Sequence, residues 1–189
     1  MAIKIYVDQG HNPNSFNTGA EGNGYFEQDI TYKVGIILYE YLSGNPEFVP
    51  RLSRPTENTL LGTSNSSSLV ARVNEANSWG ADVFISLHTN ASANPSANGA
   101  ETLIYSKRLP EANGLATDIL YQLTLVTGLR SRGVVERPGL YVLRKTNMPA
   151  VLVEMGFITN PSDASLMANS PGLFALGIYR GILEYYGLL

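Results

Sequence analysis

The sequence predicts an α/β protein, a three-layer single domain in which a mixed, mostly parallel sheet of about six strands is flanked by helices. Short strand-like runs alternate with longer segments whose apolar residues recur at helical spacing, an order typical of such sheets. Strand follows strand at two places, 82–87 to 100–106 and 139–144 to 150–155, which indicates some antiparallel pairing. The 189 residues, 44% of them hydrophobic, suit one domain with a buried core.

The first half of the chain is predicted to hold three strands and two helices. Ile3, Ile5 and Val7 alternate with polar residues as in a strand, and Gly44 closes a segment with helical spacing. Pro50 weakens the second strand. The predicted elements are strands at 3–8, 47–53 and 82–87, helices at 27–43 and from Leu69 to near Gly80, a loop at 10–24 and a flexible loop at 60–68.

The second half is predicted to continue the alternation. Pro110 suits the first turn of a helix, and Gly128 suits its end. The predicted elements are strands at 100–106, 139–144 and 150–155, a helix between Pro110 and Gly128, and a last helix at 171–186.

Composition excludes several classes of partner. The formal net charge is −3 and no basic cluster occurs, so we expect neither nucleic acid nor an anionic membrane surface as a partner. The apolar runs are too short to span a membrane. The N-terminus begins directly with a strand pattern, so we expect no signal peptide in this chain. The absence of cysteine removes disulfides and thiolate chemistry.

The chain has only two histidines, and both follow apolar, strand-like runs. His11 comes after the first strand in "IYVDQGHNP", and His88 ends the run "VFISLH". Glu154 closes a third apolar run, "PAVLVE". In open α/β sheets the ligand site lies beyond the carboxyl ends of the strands. If these strands are parallel, the three side chains converge on one edge of the sheet.

Two converging imidazoles suit a divalent transition metal, most often zinc, and a carboxylate is the expected third ligand. Glu27 is the best candidate because it begins the first helix, just after the loop that carries His11. Asp8 and Glu21 are rivals on the same loop. The competing interpretation is that each histidine is an ordinary structural residue, held by hydrogen bonds at the end of its strand.

Glu154 follows three apolar residues, and a carboxylate is costly to bury there unless it is paired or protonated. Desolvation raises the pKa of such a carboxyl toward neutrality, which suits a general base that takes a proton from water at a zinc site. The competing interpretation is that Glu154 caps backbone N–H groups.

Motifs along nearly the whole chain resemble the catalytic domain of the zinc-dependent N-acetylmuramoyl-L-alanine amidases, of the Amidase_3 type. The motifs are "VDQGH" (7–11), "YFEQD" (25–29), "ARVNEAN" (71–77), "DVFISLHTNAS" (82–92), "GAETLIY" (99–105) and "LYVLRKTNMPAVLVEMGFITNPSD" (140–163). The resemblance implies Zn²⁺ held by His11, Glu27 and His88, with Glu154 as the catalytic carboxylate. It also implies hydrolysis, in peptidoglycan, of the amide between N-acetylmuramic acid and the L-alanine of the stem peptide.

Three further residues are predicted to assist at the site. Arg144, read as the end of the strand "LYVLR", is expected to bind a carboxylate or carbonyl of the stem peptide. Asn90 and Glu101 are expected to orient His88 or the attacking water.

Several functional alternatives stay open in the sequence. Another zinc peptidase acting on the stem peptide, or an inactive peptidoglycan-binding module, would share these motifs. The role of a phage endolysin, a sporulation or germination hydrolase, or an autolysin is equally open. We expect action at the bacterial cell wall, outside the cell or after release by lysis, and the resemblance leaves room for a separate wall-binding domain outside this chain.

Overall fold

The protein consists of a central sheet and a set of helices. Its structure is a computed structural model that describes residues 2–189. The strands are β1 (Ile3–Gln9), β2 (Glu21–Gly22), β3 (Tyr25–Phe26), β4 (Phe48–Leu52), β5 (Val83–Asn90), β6 (Ala100–Ile104), β7 (Ser131–Glu136) and β8 (Ala150–Phe157). The helices are α1 (Glu27–Ser43), α2 (Asn65–Trp79), α3 (Pro110–Thr127), α4 (Tyr141–Lys145), α5 (Pro161–Asn169) and α6 (Pro171–Tyr185).

The central sheet has six strands in the order β4-β1-β5-β8-β6-β7, and β2 pairs with β3 in a separate hairpin. β4, β1, β5 and β8 run parallel to one another, whereas β6 pairs antiparallel with β8 and parallel with β7. The predicted mixed, mostly parallel sheet of six strands is therefore confirmed. The antiparallel direction predicted for the strand after β5 is confirmed as well, although its partner is β8.

Two helical layers cover the sheet, one on each face. Side chains of α1, α3 and α6 pack on the face that includes Ile85 and Val153. α2 and the short α4 pack on the opposite face, which includes Phe84 and Leu152. Leu87 and Val153 point to the first face. Because side chains alternate along a strand, the residues that follow them, His88 and Glu154, point to the second face. The α2 and α4 face is therefore the one that carries the predicted site.

The strand predicted at 139–144 is wrong, because residues 141–145 form α4 and the sixth strand is β7 at 131–136. Tyr141–Lys145 contains only one turn of helix, too short for its 3.6-residue period to be read from sequence. The sequence did not predict β7, because Gly133, at φ +91, adds a residue to the strand and interrupts the alternation of its side chains between the two faces.

Capping residues account for two helix boundaries that the sequence prediction missed. Residues 60–68 are not wholly a loop, because α2 begins at Asn65, with Ser64 and Ser67 forming a reciprocal cap. α5 was not predicted, and the side chain of Asn160 accepts hydrogen bonds from the first backbone N–H groups of that helix. Pro50 lies in β4, which is an edge strand. An edge strand tolerates proline, so the second strand forms although Pro50 was expected to weaken it.

Candidate metal and catalytic site

Neighbouring parallel strands bring His88 and Glu154 side by side. His88 of β5 is directly opposite Glu154 of β8, and both strands continue past these residues, with an irregularity between His88 and Asn90. The two residues therefore lie inside the strands, not at their ends as predicted. The predicted convergence on one edge is observed, since His11 follows β1, the other neighbour of β5.

His11, Glu27 and His88 form a compact group of potential metal ligands, with one donor atom from each residue all lying within 4.8 Å of one another. His11 Nε2 is 3.2 Å from Glu27 Oε2, and His88 Nδ1 is 3.1 Å from Glu27 Oε1. The imidazoles meet edge to face, with ring centroids 4.8 Å apart. Nitrogen and carboxylate donors at such spacing suit a divalent ion such as zinc.

The rival carboxylates are used elsewhere. Asp8 is buried, where it forms an ion pair with Arg72 and accepts a hydrogen bond from Ser86 Oγ at 2.7 Å. Burial alone would raise the pKa of Asp8, but the charge of Arg72 holds it below its ordinary value. Glu21 lies in β2 and is exposed. Of the three candidates, Glu27 is the one that the fold places between the histidines.

Glu27 is held in place by the first turn of α1 and by backbone donors. Its Oε1 accepts from the N–H of Thr89 and its Oε2 from that of Ala20, both at 2.8 Å. Burial raises the pKa of Glu27, but the hydrogen bonds to His11 and His88 outweigh it, so the pKa lies well below its ordinary value. The carboxylate is therefore ionised at neutral pH, as a ligand for a cation must be.

Asn17, which the sequence analysis did not single out, orients His11. Its Oδ1 lies 3.2 Å from His11 Nδ1, and its Nδ2 donates to Ser68 Oγ at 3.1 Å. An amide oxygen accepts a hydrogen bond, so this contact favours the His11 tautomer with its proton on Nδ1. In that tautomer the Nε2 lone pair would be available to a metal ion in place of the contact with Glu27. Asn tolerates the left-handed backbone found here at φ 55 better than most residues do.

Arg72 of α2 was also missed, although its position was a signal. It shares a helix face with the buried Val73 and Ala76, where an unpaired charge would be costly. Its guanidinium donates to the main-chain oxygens of Gln9, at 2.7 Å, and His11. These bonds fix the backbone that carries His11.

Two glycines leave room for the imidazoles. A Cβ on Gly10 would lie 2.6 Å from the His88 ring, and a Cβ on Gly19 would lie 2.8 Å from both the His11 ring and Glu27 Oε2. Any other residue at these positions would displace a ligand.

Glu154 stands beside the histidine group as a carboxyl without a partner. Its Oε2 is buried and receives no hydrogen bond from any group of residues 2–189. Burial, assisted by the negative charges of Glu27 and Glu101, raises the pKa of Glu154 to about 8, and the charge of Arg137 acts against them. A carboxyl poised near neutrality suits proton transfer at physiological pH.

Glu101 and Asn90 lie on the Glu154 side of the site. Glu101 of β6 is directly opposite Glu154 in the antiparallel pair. Its Oε1 accepts from Asn90 Nδ2 at 2.8 Å, and its Oε2 lies 3.5 Å from Arg132 Nε. The predicted contact of Asn90 with His88 is not seen, because Asn90 bonds Glu101 and His88 Nδ1 faces Glu27.

The prediction that Arg144 ends a strand beside the site is wrong. Arg144 is exposed on α4 and lines a pocket with Met148 and Ala150, where β8 begins. Ala150 precedes Glu154 by four residues, or roughly 13 Å along the strand. The helix that replaces the predicted strand thus moves Arg144 away from the histidines.

An α/β sheet that brings together two imidazoles, a carboxylate between them and an unpartnered carboxyl suits a hydrolase, and its His11, Glu27 and His88 group could hold a metal ion. The chain belongs to the N-acetylmuramoyl-L-alanine amidase family Amidase_3, which matches residues 5–184. This match confirms the resemblance inferred from the motifs.

Relatives and solved structures agree with this assignment. The chain is 36% identical over 186 residues to the N-acetylmuramoyl-L-alanine amidase LytC of Bacillus subtilis, an alignment that covers 96% of this chain and 35% of LytC. It is 36% identical over 184 residues to CwlM of Bacillus licheniformis, covering 95% of this chain and 65% of CwlM. An N-acetylmuramoyl-L-alanine amidase structure from Clostridium difficile 630 superposes with a TM-score of 0.88 at 31% identity, covering 98% and 97% of the two chains.

Replacing Gly19 by alanine is expected to weaken metal binding, because the new methyl group meets His11 and Glu27. Gly24→Ala is the matched control, since Gly19 and Gly24 have φ of +81 and +82 and only Gly24 has open space around it. Zinc titration by calorimetry should show at least a roughly tenfold loss of affinity for Gly19→Ala beyond that of Gly24→Ala. Equal affinities in the two variants would mean that the close approach is unimportant.

The stability of the metal-free protein is expected to depend on pH through Glu154. The folded protein holds this proton more tightly than the unfolded chain between pH 4.5 and about 8. Stability from this group is present at low pH and falls as pH rises through that window. The Gln side chain of Glu154→Gln cannot titrate. The urea midpoint of this variant, minus that of the original protein, should therefore increase from pH 5 to pH 9. A constant difference would show that Glu154 has an ordinary pKa.

Proposed function

We propose that this chain, over residues 1–189, is a single catalytic domain of a zinc-dependent N-acetylmuramoyl-L-alanine amidase. Its reaction is hydrolysis of the amide between N-acetylmuramic acid and the L-alanine of the peptidoglycan stem peptide. The observation that carries the proposal is the His11, Glu27 and His88 group, placed directly beside the unpartnered carboxyl of Glu154.

The donor set supports zinc as the metal. Two neutral imidazoles and one carboxylate are the usual protein ligands of a catalytic zinc, and they leave a further position open. Two of the ligands are fixed by contacts outside the group: His11 by Asn17, and Glu27 by the backbone N–H groups of Ala20 and Thr89. Zinc held by His11, Glu27 and His88 would supply Lewis-acid chemistry, since it would lower the pKa of a water molecule and polarise the carbonyl of the scissile amide.

Glu154 is the proton carrier of the reaction. As a carboxylate it accepts a proton from the attacking water, and as a carboxylic acid it returns that proton to the departing amine of L-alanine. Burial of Oε2 without a partner keeps the group free for both transfers. Glu101, fixed by Asn90, adds a nearby negative charge that favours the protonated form between the two steps.

The expected place of action is the bacterial cell wall. LytC and CwlM bear the name of this activity, and the chain corresponds to only 35% of the first and 65% of the second. A wall-binding domain outside this catalytic domain would therefore be consistent with the lengths of these relatives. Among residues 2–189, no helix combines the length and the apolar character needed to span a membrane.

Removing zinc should abolish the release of peptide from purified peptidoglycan, and added zinc should restore it. Amidase activity creates a new amino end at L-alanine and leaves the sugar chains intact, and amino-end analysis of the products detects it. His11→Ala and His88→Ala should each lose zinc and activity while keeping the circular dichroism of the folded protein. A new amino end at another residue would indicate a different stem-peptidase, and zinc binding without any product would indicate an inactive binding module.

Glu154→Gln keeps the size of the side chain and removes the proton acceptor. We expect kcat to fall by about two to four orders of magnitude, the contribution of a positioned general base. Zinc content, measured by elemental analysis, should stay at one per chain because Glu154 is not a ligand. Loss of zinc in this variant would make Glu154 a ligand, and unchanged turnover with normal zinc would exclude it as the base.

A further inference from the structure

We propose that Arg137 binds a carboxylate of the stem peptide, two or three residues beyond the scissile amide. This inference rests on the proposed function and adds to it a residue that selects acidic peptides. It assigns to Arg137 the role that the sequence analysis had given to Arg144.

Arg137 follows the edge strand β7 and continues its pairing, since its N–H donates to the oxygen of Ile104 at 2.8 Å. Two residues earlier, Val135 pairs with Leu103 and packs in the cluster of the α2 and α4 face. Alternation along the strand places Arg137 on that same face. Arg137 is therefore directed to the side of the sheet that carries His88 and Glu154.

The guanidinium of Arg137 is free to bind an anion. Its one hydrogen bond within the protein runs from Nη1 to the main-chain oxygen of Glu136, at 3.2 Å. No carboxylate among residues 2–189 lies within ion-pairing distance of it. The side chain of Glu136 points to the opposite face and is occupied by Ser106 Oγ and the N–H of Lys107.

The neighbouring arginine is not free in this way. The four residues from Ser131 to Val134 of β7 lie opposite the three residues from Ala100 to Thr102 of β6, and this bulge turns Arg132 toward Glu101. Arg132 also lies over the ring of Phe157, 4.9 Å from its centroid. Arg132 is therefore engaged by Glu101 and Phe157, whereas Arg137 has no carboxylate partner among residues 2–189.

The spacing fits a peptide that begins at Glu154. Arg137 is level with residue 105 of the neighbouring chain segment, four residues beyond Glu101, so its Cα lies about 13 Å along the sheet and about 10 Å across two strands from that of Glu154, roughly 16 Å in all. A segment of two or three extended peptide residues spans ~7–10 Å, which is the part of this distance that extended arginine and glutamate side chains would leave to be bridged. The charge of Arg137 already acts on Glu154.

The chemistry of the substrate identifies the ligand group. When the lactyl carboxyl is part of the scissile amide, the sugar side offers hydroxyl and acetamido groups and no carboxylate. Carboxylates occur on the peptide side, and a guanidinium binds a carboxylate through two parallel hydrogen bonds.

The test compares one muramyl peptide in two forms, with free carboxylates and with the same carboxylates amidated. For the free form, Arg137→Gln should raise KM by about ten- to a hundredfold, the range that a hydrogen bond to a charged group supplies, and leave kcat unchanged. For the amidated form, the variant and the original protein should have equal KM. Arg137→Lys should recover part of the loss, and Arg130→Gln, an exposed arginine just before β7, is the matched control.

Calorimetry can measure the binding of the free-carboxylate peptide and of the amidated peptide without any cleavage. This measurement separates the role of Arg137 from the proposed function. If the original protein cleaves neither muramyl peptide, the amidase proposal fails, and the binding data still decide the role of Arg137. Selective loss of affinity for the free-carboxylate peptide supports the role. Equal loss for both peptides, or no loss for either, overturns it.

Discussion

The buried guanidinium of Arg72 is the interaction on which the geometry of the site depends. It reaches from α2 to the end of β1 and forms an ion pair with Asp8. Both groups are buried, so water does not compete for the ion pair. Its remaining hydrogens hold the main-chain oxygens of Gln9 and His11. Loops seldom hold a left-handed non-glycine residue without such support, and His11 has φ 70. Arg72 thus fixes the backbone after β1 that carries the His11 imidazole.

The rest of the site follows from the parallel order of β1, β5 and β8. Parallel neighbours put successive strand ends at one edge, which places the His11 loop, His88 and Glu154 together although they are far apart in sequence. The helix that begins at Glu27 brings a carboxylate between the histidines from the opposite face of the sheet. The electrostatic outcome is a division of roles between two carboxyls. Hydrogen bonds to the histidines keep Glu27 ionised, whereas burial and the nearby negative charges raise the pKa of Glu154 and favour its protonated form.

The parts of the molecule that the sequence predicted are those with a strong local signal. Long periodic segments such as α1 and α3 were placed correctly, and the two histidines stood out because each ended an apolar run. The choice of Glu27 over Asp8 rested mainly on the family resemblance, because the ion pair of Asp8 with Arg72 joins residues 64 positions apart and has no local signal in the sequence. Arg144 was misplaced because one turn of helix and a five-residue strand have no distinguishable period. Arg137 and Arg132 were overlooked because Gly133 shifts the alternation that would have assigned their faces.

The reversal of β6 has a consequence for how such a domain can diversify. A parallel connection would need a crossover helix, but the antiparallel β6 starts at the edge where β5 ends, so residues 91–99 form a short link beside the site. Most of this link is exposed, and Asn160 holds it through the oxygen of Pro95. Its length and composition can change without altering strand register or the ligands. The border of the site can therefore change while the residues that carry its chemistry stay in place.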